Sequence, residues 1–318
     1  MKTIFMKNKR FVFSLMILVL LLSLQSVYSP QQSEQMPEQS EQMPEQSEQV
    51  PVSQNIEMQS PAETLADSQE EIAEIPIKPA EVAQQNQTGA IIAFTFDDGY
   101  LSDYEIAYPI LKKYGIRGTS YIIPEYQDSG RKFALTWEQV KEMAQYGWVF
   151  GCHTYAHTDL KKMTPEEIAK SMEAVDAAFE KQGLEKPVIH AFPFGSYNQQ
   201  AIDAMKPYRV QMRKAFYEEK FVDLNSLNPY EIDSCSADMR SEKRLKEHEA
   251  LVDKACEKNA ILVFRCHCLY RSEVNDMGEW PVQTDSKLFE QLVTYCVQKG
   301  CRFITMTELK KMYADTKS

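Results

Sequence analysis

The sequence predicts an α/β protein in which seven or eight strand–helix units form a (β/α) barrel, preceded by a long extension. From residue 89 onward, apolar strand-like runs alternate with helical segments to the end of the chain. No glycine-rich phosphate loop follows any strand, which disfavours a doubly wound nucleotide-binding sheet. Polar residues capable of catalysis directly follow several strands, as in barrels whose active sites lie at the carboxyl ends of the strands.

The first 29 residues are typical of an export signal. Four basic residues precede the apolar stretch 11–24, and small or polar residues follow it. This order predicts a signal peptide, with an uncleaved membrane anchor as the alternative. The protein is therefore expected to be secreted, or extracytoplasmic and membrane-anchored.

Residues 30–88 are expected to form a disordered acidic linker. The unit Ser-Glu-Gln-Met-Pro-Glu-Gln starts at Ser33, is repeated from Ser40, and is followed by a shortened copy. A proline in every unit excludes a coiled coil, and so polar a composition cannot bury enough apolar area to offset chain entropy. The linker holds most of the acidic excess behind the formal net charge of −11. The remaining sequence shows no electrostatic footprint for nucleic acid.

The strands are predicted from short apolar runs rich in Ile, Val, Phe and Tyr, bounded by turn residues. In chain order they are 91–96, 118–124, 148–152, 188–192, 214–217, 230–233, 261–264 and 302–305.

The helices are predicted from their start and stop signals. Thr136 and Thr164 each have Gln or Glu three residues later, the spacing of a capping box. Gly115, Gly147 and Gly300 stand where helices are expected to stop. In chain order the helices are 103–114, 136–146, 164–182, 199–205, 242–258, 286–299 and 307–313.

Two adjacent carboxylates, Asp97 and Asp98, end the first predicted strand. Their mutual repulsion is costly unless a cation offsets it. His153 and His157 follow the third predicted strand, and their i, i+4 spacing on a helical turn would let both imidazoles bind one ion. Two histidines and one carboxylate make an open metal site, and the second aspartate could then act as a base.

Four segments resemble the motifs of the polysaccharide deacetylases, the NodB-homology enzymes of carbohydrate esterase family 4. Thr-Phe-Asp-Asp-Gly at 95–99 and His-Thr-Tyr-Ala-His at 153–157 are the specific ones. Phe-Pro-Phe-Gly at 192–195 and the strand that ends near His267 are looser. The resemblance covers about residues 89–310, so that 89–318 is expected to be the catalytic domain.

The resemblance implies a distorted (β/α) barrel that removes acetyl groups, N-acetyl more readily than O-acetyl, from a cell-wall or extracellular polysaccharide. It implies one divalent ion bound by Asp98, His153 and His157, with zinc favoured and cobalt, nickel or manganese as alternatives. It also implies that Asp97 is the base that activates a metal-bound water.

The resemblance further implies that His267 is the general acid and that Phe194 lends its backbone N–H to the oxyanion. The family's third motif often begins with an arginine that steers the base, but Ala191 stands at that position. Arg265 would share a strand face with His267 and is a candidate replacement.

The carboxylate that tunes His267 in the family has no recognisable motif in this chain. Asp233 and Asp238 are both candidates for that role.

Seven cysteines lie between Cys152 and Cys301, and an odd number leaves at least one without an intramolecular partner. Cys266 and Cys268 flank His267, but strand alternation would place the imidazole on the opposite face from the two thiols. This favours small buried residues over a shared metal site. The sequence does not determine the disulfide connectivity.

Two other functions fit the same scaffold. A glycan-binding protein with little turnover is disfavoured by the retained Asp97 and His267, because binding alone needs neither a base nor an acid. A small-amide or cyclic-amide hydrolase is disfavoured by the predicted export signal. The expected partner is an acetylated polysaccharide; membrane contact would come only through an N-terminal anchor, and the sequence does not predict the oligomeric state.

Overall fold

A computed structural model of the protein describes residues 89–215, 220–271 and 283–315. The predicted signal segment and acidic linker lie outside the described residues. The strands are β1 (Ile91–Asp98), β2 (Thr119–Ile122), β3 (Val149–Cys152), β4 (Ile189–Ala191), β5 (Gln211–Arg213), β6 (Cys235–Ser236), β7 (Ile261–Cys266), β8 (Cys268–Tyr270), β9 (Gln283–Asp285) and β10 (Arg302–Phe303). The α-helices are α1 (Tyr108–Lys113), α2 (Pro124–Asp128), α3 (Trp137–Tyr146), α4 (Pro165–Lys181), α5 (Gln199–Met205), α6 (Glu242–Lys258), α7 (Ser286–Gln298) and α8 (Met306–Asp315).

The main sheet is parallel and confirms the predicted fold class. Its order is β5-β4-β3-β2-β1-β7-β6, with β10 pairing to the first residues of β1. Beyond β5, Ile232 makes a parallel bridge to Arg213, and β6 then pairs with β7. The segment that contains Ile232 and β6 therefore connects the two edges of the sheet into a distorted barrel wall.

The alternation of side chains along β1 decides which groups face the barrel interior. Ile92, Phe94 and Phe96 belong to the larger hydrophobic cluster that the surrounding helices cover. Ala93 belongs instead to the smaller cluster of inward-facing residues. Asp97 shares the strand face of Ala93, so the strand carries its carboxylate on the interior side, at the carboxyl end of the barrel.

Local sequence signals fix the helix boundaries closely. The predicted capping boxes are present at Thr136 with Gln139 and at Thr164 with Glu167. The predicted helix at 242–258 coincides with α6. The helix predicted at 103–114 begins instead with a π-helical turn, Asp103–Ala107, before α1.

The predicted strands at 214–217 and 230–233 are wrong in position. The strands that the structure has nearby are β5 and β6. Ile232 makes a single bridge to Arg213, and residues 216–219 lie outside the described residues. Gln211 and Arg213 are polar yet only 1% exposed, and hydrophobic patterning does not recognise a buried strand of that kind. The short elements α2, β8 and β9 were not predicted.

Close packing around β2 gives a stability prediction. A Cβ at Gly151 would lie 2.5 Å from Tyr121 Cδ1 and 2.9 Å from Ile189 Cγ1. Tyr121 is fully buried and cannot move aside freely. We expect Gly151→Ala to lower the free energy of unfolding by about 1–3 kcal/mol, measured by chemical denaturation. An unchanged denaturation midpoint would contradict this packing.

Within the part of the chain that the structure describes, no helix is both long and apolar enough to cross a lipid bilayer.

Candidate active site

The turn after β1 separates the two adjacent carboxylates. Asp98 and Gly99 both adopt left-handed backbone conformations, with φ of 73° and 68°. A Cβ on Gly99 would lie 2.8 Å from Ile122 Cγ2, so the turn requires glycine for space as well as for φ. Asp97 remains directed into the barrel, whereas Asp98 is directed at the loop that follows β3.

Asp98, His153 and His157 come together as a candidate metal site. Asp98 Oδ1 lies 3.4 Å from His153 Nε2 and 3.3 Å from His157 Nε2. One donor atom from each residue lies within 4.8 Å of the other two. Among the described residues, this is the one such group of three His, Cys, Asp or Glu side chains.

The surroundings of the three side chains fit a divalent cation. Asp98 Oδ1 is buried without a hydrogen-bond partner among the described residues, an arrangement that a bound cation would relieve. His153 Nδ1 lies 2.8 Å from the carbonyl oxygen of Ala191, which holds the proton on Nδ1 and leaves the Nε2 lone pair free to bind a metal.

The titration of the site residues points the same way. Burial and the neighbouring His153 lower the pKa of His157 to about 4, so its imidazole is neutral at physiological pH. Burial raises the pKa of Asp98, but the neighbouring imidazoles outweigh it and hold that pKa below its usual value. A carboxylate and a neutral imidazole are the protonation states in which these residues bind metal ions.

The loop that carries the two histidines is not the helical turn that the spacing predicted. Residues 154–156 form a turn in which Thr154 has φ of 62°, and His157 itself has φ of 54°. The hydroxyl of Thr154 accepts a hydrogen bond from Thr158 N–H at 3.0 Å and holds the loop. The two rings still approach to 5.1 Å between centroids, so the pair converges by a different backbone route.

Asp97 forms a buried ion pair that the sequence did not predict. Arg213 Nη2 donates a hydrogen bond to Asp97 Oδ1, and the two side chains are only 1% and 4% exposed. Burial raises the pKa of Asp97, but the guanidinium of Arg213 and the nearby histidines outweigh it and hold the pKa well below its usual range. Asp97 is therefore ionised at neutral pH.

Arg213 is itself held firmly in place. Its Nη1 donates to Ser234 Oγ at 3.0 Å and to the carbonyl oxygen of Lys214 at 3.2 Å. Its guanidinium carbon lies 5.0 Å from the centre of the Tyr121 ring, a cation–π contact.

The register of the sheet explains how Arg213 reaches Asp97. Arg213 is the parallel partner of Ala191, the position where the resemblance led us to expect an arginine. Paired residues on neighbouring parallel strands direct their side chains to the same face. In the sequence Arg213 stands in a short polar segment that gives no strand signal, and only the pairing of β4 with β5 reveals its role.

His267 lies between two carboxylates. Its Nε2 is 3.9 Å from Asp97 Oδ2, and its Nδ1 is 3.4 Å from Asp238 Oδ1. Ser236 Oγ donates to Asp238 Oδ2 at 2.7 Å and orients that carboxylate. Burial lowers the pKa of His267, but Asp238 and Asp97 outweigh it and raise the pKa above its usual value.

The remaining predicted site residues have distinct surroundings. Asp233 pairs with Lys214 at 3.1 Å, so the structure brings Asp238, and not Asp233, to His267. Arg265 acts electrostatically on both Asp97 and Asp238, while the direct ion pair with Asp97 comes from Arg213.

Phe194 lies at the solvent-exposed edge of the candidate site. It has φ of 58° and is 70% exposed, and its ring centroid lies 4.3 Å from that of His157. Its ring therefore lies against one of the candidate metal ligands.

A family model described as polysaccharide deacetylase matches residues 84–212. Over 121 residues the chain is 37% identical to YxkH of Bacillus subtilis, whose name assigns it to the polysaccharide deacetylases; the match covers 38% of this chain and 43% of that protein. Over 148 residues it is 30% identical to the poly-beta-1,6-N-acetyl-D-glucosamine N-deacetylase of Staphylococcus aureus, covering 42% and 50% of the two chains. The chain thus spans about half the length of these curated relatives or less.

One solved structure supports the fold over a larger part of the chain. The Xyl-CE4 domain of a multidomain xylanase from the hindgut metagenome of Trinervitermes trinervoides aligns with a TM-score of 0.50 at 17% identity. The alignment covers 71% of this chain and 92% of that domain. It extends past the region of the family model, and at this identity it bears on the fold alone.

Proposed function

We propose that the chain, which matches the polysaccharide deacetylase family model over residues 84–212, is a metal-dependent hydrolase that releases acetyl groups from a cell-wall or extracellular polysaccharide. The observation that carries this proposal is that two sets of site residues lie together at the carboxyl end of the barrel. Asp98 and the two histidines offer three donors for a cation. Asp97 and His267 lie beside them as an acid–base pair.

The cation would be held by Asp98 Oδ1 and by the Nε2 atoms of His153 and His157. Zinc suits two imidazoles and one carboxylate best, and cobalt, nickel or manganese accept the same donors. A divalent ion bound there would supply Lewis acidity, which polarises an acetyl carbonyl and lowers the pKa of water towards neutrality. We expect purified protein to contain about one such ion per chain.

Asp97 and His267 have complementary proton-transfer roles in this proposal. Asp97 is kept ionised by Arg213, and its Oδ2 is free of that ion pair, so it can accept the proton of an attacking water. His267 is held by Asp238 on Nδ1, which directs Nε2 at the reaction centre with a proton to donate to the leaving amine. The Phe194 N–H is the proposed donor to the oxyanion, since the Phe194 ring packs against His157 at the edge of the site.

The preferred substrate is a polysaccharide of N-acetylated sugars. The Staphylococcus aureus relative is named for poly-beta-1,6-N-acetyl-D-glucosamine, and an amide substrate makes use of the general acid that His267 provides. The predicted export signal would place the enzyme outside the cytoplasm, secreted or anchored, where such polymers occur. The ion-paired base and the carboxylate-supported acid favour turnover over glycan binding alone.

Release of acetate from acetylated glycans tests this proposal directly. We expect oligomers of N-acetylglucosamine to yield free acetate with untreated protein, and none after the protein is dialysed against a chelator. Re-addition of Zn²⁺ or Co²⁺ should restore the activity. Acetate release that is unaffected by complete metal removal would refute the metal-dependent mechanism, and binding without release across a glycan panel would favour the binding protein.

Asp238→Asn is expected to move the alkaline limb of the pH profile of kcat/KM to lower pH by about one unit. Asp238 raises the pKa of His267, so its loss lets the imidazole deprotonate earlier. Because the pKa of His267 is raised in the folded protein, its protonated imidazole also stabilises the fold. This stabilisation is fully present below the ordinary pKa of 6.5 and is lost as pH rises through the folded-state pKa. Asp233→Asn serves as the matched control and should leave the alkaline limb in place.

A further inference from the structure

Three cysteine side chains cluster at the end of the barrel opposite the candidate active site. Cys256 lies in the last turn of α6, which leads into β7. Cys296 lies in the last turn of α7, and Cys301 directly precedes β10. The amino-terminal ends of strands β7 and β10 meet here, whereas the candidate metal ligands follow the carboxyl ends of β1 and β3.

Two of the three thiols are already in contact. Cys256 Sγ and Cys301 Sγ are 3.8 Å apart. A disulfide needs the sulfur atoms at about 2.0 Å, so the two side chains have to close the remaining gap. Cys301 also interacts with Cys296, so it is the central thiol of the cluster.

The three thiols differ in access. Cys256 is partly exposed, Cys301 is 8% exposed, and Cys296 is fully buried. A small oxidant from solvent therefore reaches Cys256 most easily. Cys301 is its nearest partner, and Cys296 lies behind Cys301.

We propose that Cys256 and Cys301 form a disulfide in the folded protein when it meets a small-molecule disulfide such as oxidised glutathione. The first exchange joins Cys256 to one half of the oxidant and releases one small thiol. The Cys301 thiolate then attacks Cys256 Sγ, and the second small thiol leaves. Two protein thiols are oxidised and one small disulfide is reduced to two thiols, so atoms and electrons balance.

The electrostatics of the cluster suit the second step, in which Cys301 attacks, while the first step depends on the greater exposure of Cys256. The neighbouring Cys296, Cys256 and Lys299 outweigh burial and lower the pKa of Cys301. Burial raises the pKa of Cys296 well above its usual value and also raises that of Cys256. Because the thiolate is the attacking form, Cys301 is the resolving nucleophile and Cys296 remains a thiol.

The bridge would join elements that support both catalytic strands. The chain runs from α6 into β7, whose end precedes His267. Cys301 leads into β10, which pairs with β1 at Ile91 and Ile92. The two cysteines are 45 positions apart in sequence, so the bridge would close a long loop and restrict the unfolded chain.

The test compares full-length protein after treatment with oxidised glutathione or with a reducing agent. We expect the oxidised sample to lose two of its seven thiols by titration under denaturing conditions. Proteolytic mapping should find one linked peptide pair that contains Cys256 and Cys301. The Tm should rise by roughly 5–10 °C relative to the reduced sample, with acetate release unchanged.

Serine variants identify which two cysteines form the disulfide. Cys256→Ser and Cys301→Ser should abolish both the thiol loss and the rise in Tm, while Cys296→Ser should keep them. Retention of all seven thiols by the native wild-type protein, or a linked pair that joins Cys296 to Cys301, would overturn the proposal. The wild-type mapping decides the outcome even if a serine variant fails to fold.

Discussion

Asp97→Asn is expected to lower kcat by about 10²–10⁴-fold while the protein retains its full complement of metal. Asparagine preserves the shape of the side chain but cannot accept a proton from water. Asp97 is paired with Arg213 and faces His267, and it does not belong to the group of three candidate ligands. Metal content by elemental analysis and kcat from acetate release measure the two consequences separately.

The neighbouring substitution, Asp98→Asn, is the matched control for this prediction. Asp98 Oδ1 faces both histidines, so its loss should reduce metal content and activity together. His153→Ala and His157→Ala should behave like Asp98→Asn. If Asp97→Asn loses metal to the same extent as Asp98→Asn, the division of roles between the two carboxylates is wrong.

Arg213→Ala is expected to lower kcat by about 10²-fold and to destabilise the fold by about 3–5 kcal/mol. The substitution leaves Asp97 buried without its cation and removes the contacts with Ser234 and Tyr121. Arg213 does not contact the proposed ligands, so metal content should stay the same, and KM should change far less than kcat. Chemical denaturation and steady-state kinetics measure the two losses.

The pH dependence of stability gives a second readout for Arg213. The pKa of Asp97 is depressed below its ordinary value of 3.8, so the ion pair contributes stability above that value and loses it as pH falls towards the folded-state pKa. Arg213→Ala should remove this acid-sensitive component of stability. A purely packing role for Arg213 would lower stability equally at every pH.

Moving the guanidinium from position 213 to position 191 tests whether Arg213 acts by orienting Asp97 or only by packing. Ala191 and Arg213 are register partners on β4 and β5, and Ala191 is fully buried. In the double variant Ala191→Arg/Arg213→Ala, the guanidinium moves by one strand into the space that Arg213 leaves. We expect this variant to recover at least about tenfold of the activity that Arg213→Ala loses, whereas Ala191→Leu/Arg213→Ala should recover none.

Much of the fold could be predicted because its signals are local. The capping boxes at Thr136 and Thr164 depend on residues three apart, and both occur as expected. The β1 run from Ile91 is apolar because it is buried on both sides, which hydrophobicity alone reveals. The misplaced strands near β5 and β6 are short, and β5 is polar, so neither length nor hydrophobicity marks them.

The sequence by itself determined the residue types of the site, because Asp97, Asp98 and the two histidines lie in short segments with distinctive spacing. It did not determine their partners. The pairing of Arg213 with Asp97 spans 116 positions, and that of Asp238 with His267 spans 29. Such contacts depend on the register of neighbouring strands and on the bridge between Ile232 and Arg213 that closes the barrel wall. The packing of the whole barrel sets both. Only the tertiary structure could therefore show which arginine pairs with Asp97 and which aspartate lies beside His267.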